Sequence, residues 1–150
     1  MRPLKEKGIY SFIVIFISLA LSGLAVLFLI SQYIVELPRW FEPSFIVPIA
    51  GMIFANSMNI VSLAGERFFV EKDRGENYEN SRKIALETAL IPLINALFAV
   101  GLVSLPGMMT GQILSGIEPL MAARYQIMVM CMMFSTAGLS AVTYMSFKKY

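Results

Sequence analysis

The stretch that decides the fold is LVSLPGMMTGQILSG, Leu102 to Gly116. It lies inside the longest uncharged run of the chain, Thr88 to Ile117, which contains 30 residues. As one straight helix this run would be about 45 Å long, whereas the hydrocarbon core of a bilayer is about 30 Å thick. The run is therefore longer than one membrane crossing, and Pro106 falls where that crossing would end.

Pro106 predicts a break in this helix. Proline removes a helix hydrogen bond and disfavours helical geometry at the residue before it, so we expect the break at Leu105–Gly107. Backbone groups freed there cannot face lipid and must be buried in protein or line a wet cavity. Two interpretations follow. The break is either a helix end with a packed turn, or a site on a substrate path, with Pro106, Met108 and Met109 as its candidate residues.

Three further uncharged runs are long enough to cross a membrane. They are Gly8–Val35 with 28 residues, Pro43–Gly65 with 23 and Tyr125–Phe147 with 23, and a crossing needs roughly 20. Charged residues make up 15% of the chain, against about 25% in soluble domains. We predict an all-α polytopic membrane protein whose residues 1–150 form one transmembrane domain in the lipid bilayer, with the third span broken near Pro106. The predicted spans are about 9–33, 44–65, 82–105 and 122–147, and the predicted central loop is 66–83.

The distribution of basic residues predicts the orientation, because cytoplasmic loops are enriched in lysine and arginine. Ten of the 12 basic residues lie in the two termini and the central loop: Arg2, Lys5, Lys7, Arg67, Lys72, Arg74, Arg82, Lys83, Lys148 and Lys149. Only Arg39 and Arg124 lie in the other two connections. Both termini and loop 66–83 are therefore expected in the cytoplasm, in a protein of the plasma or inner membrane. The net charge of +2 gives no indication of nucleic-acid binding.

Two pairs of small residues predict helix packing. Gly51 and Ala55 are four residues apart in the second span, and Gly107 and Gly111 have the same spacing after the break. Such pairs let another helix approach closely. We expect faces that contain Gly107 and Gly111 to mediate self-association.

Amides mark a second candidate feature of the spans. Asn56 and Asn59 are three residues apart and share one helix face, with Met52 above them, and Asn95 lies in the third span. An amide in hydrocarbon is costly unless it is hydrogen-bonded, so we expect the three asparagines to face the bundle interior. They either hold the helices together or, with Met52, line a substrate path.

The residues that are missing exclude several function classes. None of the four uncharged runs contains an ionisable carboxylate, lysine, arginine or histidine, and proton-coupled carriers need such groups. A small multidrug-type exporter is disfavoured for the same reason. With one cysteine and no histidine, neither an internal disulfide nor a zinc site is expected. The methionines of the last span (Met128, Met130, Met132 and Met133) are interpreted as packing, with metal ligation as the alternative. No cofactor is predicted.

Three stretches resemble one transporter family. They are VPIAGMIFANSMNIVSLAGERF (Val47–Phe68), ALIPLINALFAVGLVSLPGMMTGQILSGIEPLMAARYQIMV (Ala89–Val129) and FSTAGLSAV (Phe134–Val142). They resemble the FetB-type ABC transporter permeases, an iron-export family with plant relatives in aluminium tolerance. GLVSLPGMMTG and EPLMAARYQI are the most specific parts. The motif positions carried over are Gly51, Met52, Asn56, Met58, Gly101, Pro106, Gly107, Met108, Met109 and Gly111.

The resemblance implies a membrane subunit that exports iron, or a related metal or metal–ligand complex, and pairs with a separate cytoplasmic ATPase. The chain itself would not be an enzyme. Thioethers suit soft metals such as Cu(I), whereas ferric iron prefers oxygen donors. Met108 and Met109 are therefore metal candidates without a firm assignment, and the metal species stays open.

Two departures from the family affect the expected partners. Family members are longer at the N-terminus, with further membrane helices, so this chain resembles an N-terminally truncated member. Its central loop, 71–84, is shorter and lacks the leucine-glycine-alanine stretch of the kind that couples to the ATPase. We expect a homo-oligomer or a partner that supplies the missing helices. The alternative function is a truncated or split permease that acts only as a structural or regulatory membrane subunit.

Overall fold

The protein is a bundle of long helices. The computed structural model describes residues 8–35, 42–102 and 106–147, with side chains at all of these except 8–10 and 101–102. The helices are α1 (Gly8–Leu29, continued by a π-helical turn Ile30–Ile34), α2 (Pro43–Asp73), α3 (Tyr78–Leu102), α4 (Gly107–Leu114) and α5 (Pro119–Phe147). No strand occurs among these described residues, and the predicted all-α class is confirmed.

Four helices are long and apolar enough to cross a membrane. The crossing segments are Ser11–Ile34, Pro43–Asp73, Tyr78–Val100 and Pro119–Phe147. This confirms the predicted number of membrane helices. The segment 66–83, predicted as a loop, is helical except at 74–77, because its charged residues continue α2 and α3 beyond their apolar runs.

A tight turn joins α2 to α3, and we call this side of the bundle the turn end. Gly75 has φ +90°, a conformation that glycine adopts without steric cost. Asn77 caps α3, since its side-chain oxygen accepts a hydrogen bond of 2.8 Å from the Asn80 N–H. The sequence pattern of GENYEN followed by serine predicts the cap at Asn80 or Ser81, and this prediction is wrong because α3 begins earlier, at Tyr78.

A buried carboxylate lies beside this turn. The side chain of Glu71 is 5% exposed and contacts two arginines of its own segment, Arg67 at 2.7 Å and Arg74 at 3.0 Å. These partners compensate the burial of the charge, which would otherwise be costly. The carboxylate therefore fixes the last turn of α2 against the start of the connection.

The opposite side of the bundle contains the break, and we call it the break end. Pro106 is extended, with φ −62° and ψ 140°, and its carbonyl accepts a hydrogen bond from the Thr110 N–H at 3.0 Å. α3 has ended at Leu102 and α4 begins at Gly107, so the predicted break near Pro106 is confirmed. Leu105, the first residue of the predicted break, lies outside the described residues. So do Trp40 and Phe41, which the sequence suggests as an interfacial anchor.

α5 is the central helix and packs against α1, α2, α3 and α4. It contributes to both apolar cores of the bundle. The turn-end core consists of Val14, Ile60, Val61, Ala64, Phe68, Ala85, Ala89, Leu93, Ala137, Ala141, Tyr144 and Met145. The break-end core consists of Val26, Leu27, Ile30, Ile46, Ile49, Ile53, Val129 and Met132.

α1 has two unlike faces. Its outward face is made of large apolar side chains that are 56–69% exposed, such as Phe12, Phe16 and Phe28. Its inward face carries the buried small residues Ser22 and Gly23. A Cβ on Gly23 would lie 2.5 Å from the ring of Phe54, so α1 and α2 approach closely at this level. The bulky apolar sequence of this span also predicts a peripheral helix that faces lipid, and the division into two faces agrees with it.

Candidate functional site

Methionines from three helices converge at the break end. Met52 of α2, Met108 of α4, and Met128 and Met133 of α5 are half-buried and pack against the break-end core. Met132 lies within that core and is 1% exposed. The sequence analysis treated these thioethers as separate groups. Their convergence depends on how α4 folds back on α5, a long-range contact that no local pattern reveals.

The break itself lies near the surface of the chain. Pro106 and Met109 are half-buried, and no residue of α4 is fully buried. Met109 is not part of the methionine group, because adjacent residues on a helix point about 100° apart. A Cβ on Gly107 or Gly111 would meet nothing within 4 Å. In the described structure neither glycine is therefore a packing contact within this chain.

The three predicted amides do not lie together in the bundle interior. Asn56 is half-buried, and its side-chain nitrogen is enclosed without a hydrogen-bond partner among the described residues. Asn59 and Asn95 are exposed, so the prediction that they face the interior is wrong for the single chain. Asn59 is exposed because of its angular position around the axis of α2. The buried face of α2, which includes Ile53 and Ile60, points away from Asn59.

The exposed side of α2 contains a stripe of small and polar residues, with the exposed apolar side chains of Val47 and Met58 beside it. The residues directly opposite its buried face are Pro48, Gly51, Ala55, Asn59, Ser62 and Glu66. A Cβ on Gly51 would meet nothing within 4 Å, so the small pair Gly51 and Ala55 does not pack against any described part of this chain. This surface differs from the outward face of α1, where phenylalanine and aliphatic residues dominate. We call it the small polar face of α2.

The break-end half of α3 is also uncovered. Between Ile91 and Phe98 the one buried side chain is Leu93, and Pro92 and Asn95 are both exposed. The small polar face of α2 and this half of α3 are thus free in the described part of the single chain. Candidate path residues Asn59 and Asn95 lie on these uncovered surfaces.

A cleft of about 260 Å³ opens beside the methionines. It is lined by Ile34, Val35, Met121, Arg124, Tyr125 and Met128. Sequence reasoning missed this cleft and used Arg124 only as a marker of orientation. Met128 belongs both to the cleft lining and to the methionine group, so the two features adjoin.

The donor atoms of the break end include thioethers, amides and hydroxyls. In the part of the chain that the structure describes, no group of three or more histidine, cysteine, aspartate or glutamate side chains could hold a metal ion. The thioethers suit soft metals and the amides suit polar ligands, and the carboxylates of Glu42 and Glu118 at this end do not belong to such a group of three.

Comparison with known proteins gives the family. The family described as "Uncharacterised protein family (UPF0014)" matches residues 2–150. The chain is 39% identical over 134 residues to the UPF0014 membrane protein slr1647 of Synechocystis, covering 78% of this chain and 52% of the relative. It is 39% identical over 127 residues to the probable iron export permease protein FetB of Escherichia coli, covering 73% and 49%. It is also 33% identical over 118 residues to the protein ALUMINUM SENSITIVE 3 of Arabidopsis thaliana, covering 69% and 43%.

The chain spans about half the length of these relatives. No solved structure matches it. The family match extends over almost all of the chain, including all four membrane helices and the break at Pro106. The chain is thus a membrane protein that belongs to the UPF0014 family, to which permeases are related.

Proposed function

We propose that the chain is the membrane permease subunit of an ABC-type exporter that is driven by a separate ATPase and carries iron or a related metal or metal–ligand complex. The observation that carries this proposal is the 39% identity to a probable iron export permease, over 73% of this chain. The uncharged spans agree with an external energy source, because they lack the ionisable groups of proton-coupled carriers.

The substrate path in this proposal runs along the break end. Its inner candidates are Met52, Asn56 and Met108. Met52 and Met108 are half-buried and pack against the break-end core, and Asn56 is half-buried one turn after Met52 on α2. Met109, Pro106, Asn59 and Asn95 are its outer candidates, since they lie on surfaces that this chain leaves uncovered or half-covered. The amides of the outer group, Asn59 and Asn95, would make hydrogen bonds with a neighbouring polypeptide or with the substrate.

The turn end is the proposed contact with the ATPase. The ten-to-two distribution of basic residues supports a cytoplasmic location for this end and for both termini, in a plasma or inner membrane. The turn at 74–77 is short and is fixed by Gly75, by the Asn77 cap and by the ion pairs of Glu71. A rigid turn of this kind can transmit a movement of the ATPase to α2 and α3.

The uncovered surfaces support an assembly with further helices. Gly51 and Ala55 on α2, and Gly107 and Gly111 on α4, offer open space where another helix can approach closely. The matched segment covers about half of each of these relatives, which therefore contain further chain. A second copy of the chain, or a partner that supplies further helices, would cover these faces.

Metal content in cells that express the complete transporter tests the proposal. The variant carries Met108→Leu and Met109→Leu, which keeps the apolar volume and removes the sulfur. The matched control carries Met145→Leu, which changes a fully buried methionine of the turn-end core at the other end of the bundle from the break. We expect the metal content to rise in the first variant and to stay at the wild-type level in the control. Unchanged export in the first variant would assign these two methionines to packing.

The second candidate function is a structural or regulatory membrane subunit. The central loop supports it, because residues 71–84 lack the leucine-glycine-alanine stretch of the kind that couples to the ATPase. Co-expression with the ATPase separates the two functions. A permease subunit increases the rate of ATP hydrolysis and lowers cell metal, whereas a purely structural subunit binds its membrane partner and changes neither quantity.

A further inference from the structure

A layer of buried hydroxyls separates the two apolar cores. Five side chains on α1, α2 and α5 belong to it, and each is 0–5% exposed: Ser18, Ser22, Ser57, Thr136 and Ser140. None of them belongs to the turn-end core or to the break-end core. We call this group the hydroxyl layer.

Two close contacts place these residues within about one helical turn of each other in depth. Gly23 of α1 lies against Phe54 of α2, and Gly65 of α2 lies against Tyr144 of α5. α1 runs antiparallel to α2, so the residue three positions after Phe54, Ser57, lies level with the segment between Ser18 and Ser22 on α1. Because α5 runs parallel to α2, Ser57 and Thr136 lie level, each eight positions before its partner in the second contact.

The hydroxyls of the layer fall into two kinds. Ser18 donates to the Val14 carbonyl at 2.7 Å, and Thr136 donates to the Met132 carbonyl at 2.8 Å. These bonds to the preceding turn are the usual way in which a hydroxyl is satisfied inside a helix. The Oγ atoms of Ser57 and Ser140 have no hydrogen-bond partner in the described part of the chain, although both residues are fully buried.

An amide accompanies the unpartnered hydroxyls. The Nδ2 atom of Asn56, which is next to Ser57 on α2, is buried and has no hydrogen-bond partner among the described residues. A buried polar group that makes no hydrogen bond destabilises a protein, and buried polar groups in native proteins are almost always paired with protein or with ordered water. Asn56 points about 100° away from Ser57 on α2, so the two fully buried hydroxyls of Ser57 and Ser140 are the groups that require a partner other than a described side chain.

We propose that the hydroxyl layer is an internal hydration site, in which ordered water is hydrogen-bonded by Ser57 and Ser140. Water suits the donor set, because each hydroxyl both donates and accepts, and a buried water makes two to four hydrogen bonds. Ser140 lies one turn, about 6 Å, nearer the turn end than Ser57. Two O–H···O bonds in series through one water cover about 5.5 Å. One or two waters therefore cover this difference in depth between the two hydroxyls.

The same surroundings disfavour a charged ligand. The hydroxyl layer contains no ionisable side chain, and apolar cores lie on both sides of it. An ion at this depth would have no counter-charge, whereas a neutral water needs none. The proposal is independent of the transported substrate and would hold for a structural subunit as well.

X-ray radiolytic labelling of the full chain in lipid nanodiscs tests the hydration site. Radicals formed from bound water oxidise adjacent side chains, and Met132 is a suitable reporter because it is 1% exposed and lies one turn from Thr136. We expect Met132 to be oxidised in the wild type, and its labelling to fall at least threefold in the Ser57→Ala, Ser140→Ala double variant. The matched control is Ser18→Ala, whose hydroxyl is equally buried but is satisfied by Val14. It should change the labelling by less than twofold.

The stability of the single variants gives an independent measurement, which remains available if the double variant does not fold. Ser57→Ala and Ser140→Ala each lower the melting temperature if the hydroxyls bind water, since the water loses a partner. They raise it if the hydroxyls are dry and unpaired, since an unsatisfied group is removed. Unlabelled Met132 in the wild type, labelling that persists in the double variant, or raised melting temperatures in both single variants would each overturn the proposal.

Discussion

The contact between α2 and α5 at Gly65 allows a quantitative test of the packing. A Cβ on Gly65 would lie 3.0 Å from the Tyr144 hydroxyl oxygen and 3.4 Å from its Cε1. The first distance is tighter than nine in ten real Cβ contacts, so Tyr144 would have to shift. Tyr144 is 4% exposed, and its surroundings leave it little room. Gly65→Ala is therefore an overpacking substitution.

Gly51→Ala on the same helix is the matched control, because a Cβ there would meet nothing within 4 Å. Replacing glycine by alanine in a helix stabilises it by about 1 kcal/mol, and this gain applies to both variants. Overpacking a buried site costs about 1–3 kcal/mol and applies only at Gly65. We therefore expect Gly51→Ala to stabilise the monomer by about 1 kcal/mol. Gly65→Ala should lie between neutral and about 2 kcal/mol destabilising, a difference of about 1–3 kcal/mol between the variants.

The assay is the free energy of unfolding in bicelles, measured by steric trapping at a protein concentration that keeps the chain monomeric. Tyr144→Phe supplies a second control, because it removes the oxygen that a Cβ on Gly65 would approach most closely. In a double-mutant cycle, Gly65→Ala and Tyr144→Phe should show a favourable coupling energy. Equal stability changes at Gly65 and Gly51, together with zero coupling, would refute the described approach of α2 and α5.

Three further predictions concern the turn end, the orientation and the assembly. Glu71→Gln should destabilise the chain by about 1 kcal/mol in the same assay, because its two arginine partners are partly exposed and part of the attraction is already screened. A cysteine at position Arg39 should react with an impermeant reagent added outside the cell, and one at Gly75 should not; the reverse pattern would invert the proposed orientation. Changing both Gly107 and Gly111 to leucine should weaken self-association in detergent, and unchanged association would exclude these glycines from the interface.

The helices and the break were predictable because their causes are local. An uncharged run of sufficient length specifies a membrane helix wherever it occurs, and proline disrupts a helix through its own ring. The start of α3 was missed by a few residues, since Asn77 and Asn80 are both suitable caps and only the fold of the turn selects Asn77. Local patterns therefore gave the elements and left their boundaries less certain.

The composition of the candidate site depended on tertiary packing and was only partly predictable. Helical spacing places Asn56 and Asn59 on adjoining parts of α2, but which part is buried depends on where α1, α3 and α5 pack. The same applies to Met52 and Met108, which are far apart in sequence and pack against one core. Packing also created the contrast between the paired Ser18 and the unpartnered Ser57, which no spacing rule indicates.

The exposed faces of α1 and α2 require different surroundings in a bilayer. Lipid solvates the phenylalanines of α1 at no cost, because their side chains have no hydrogen bond to lose. The amide of Asn59 and the hydroxyl of Ser62 would lose hydrogen bonds with water and gain none from acyl chains. Small residues such as Gly51 also leave shallow grooves, which a neighbouring helix fills better than a disordered chain does. The four helices therefore expose one side suited to lipid and another suited to protein, and the relatives, of which the match covers about half, contain additional chain to cover the second side.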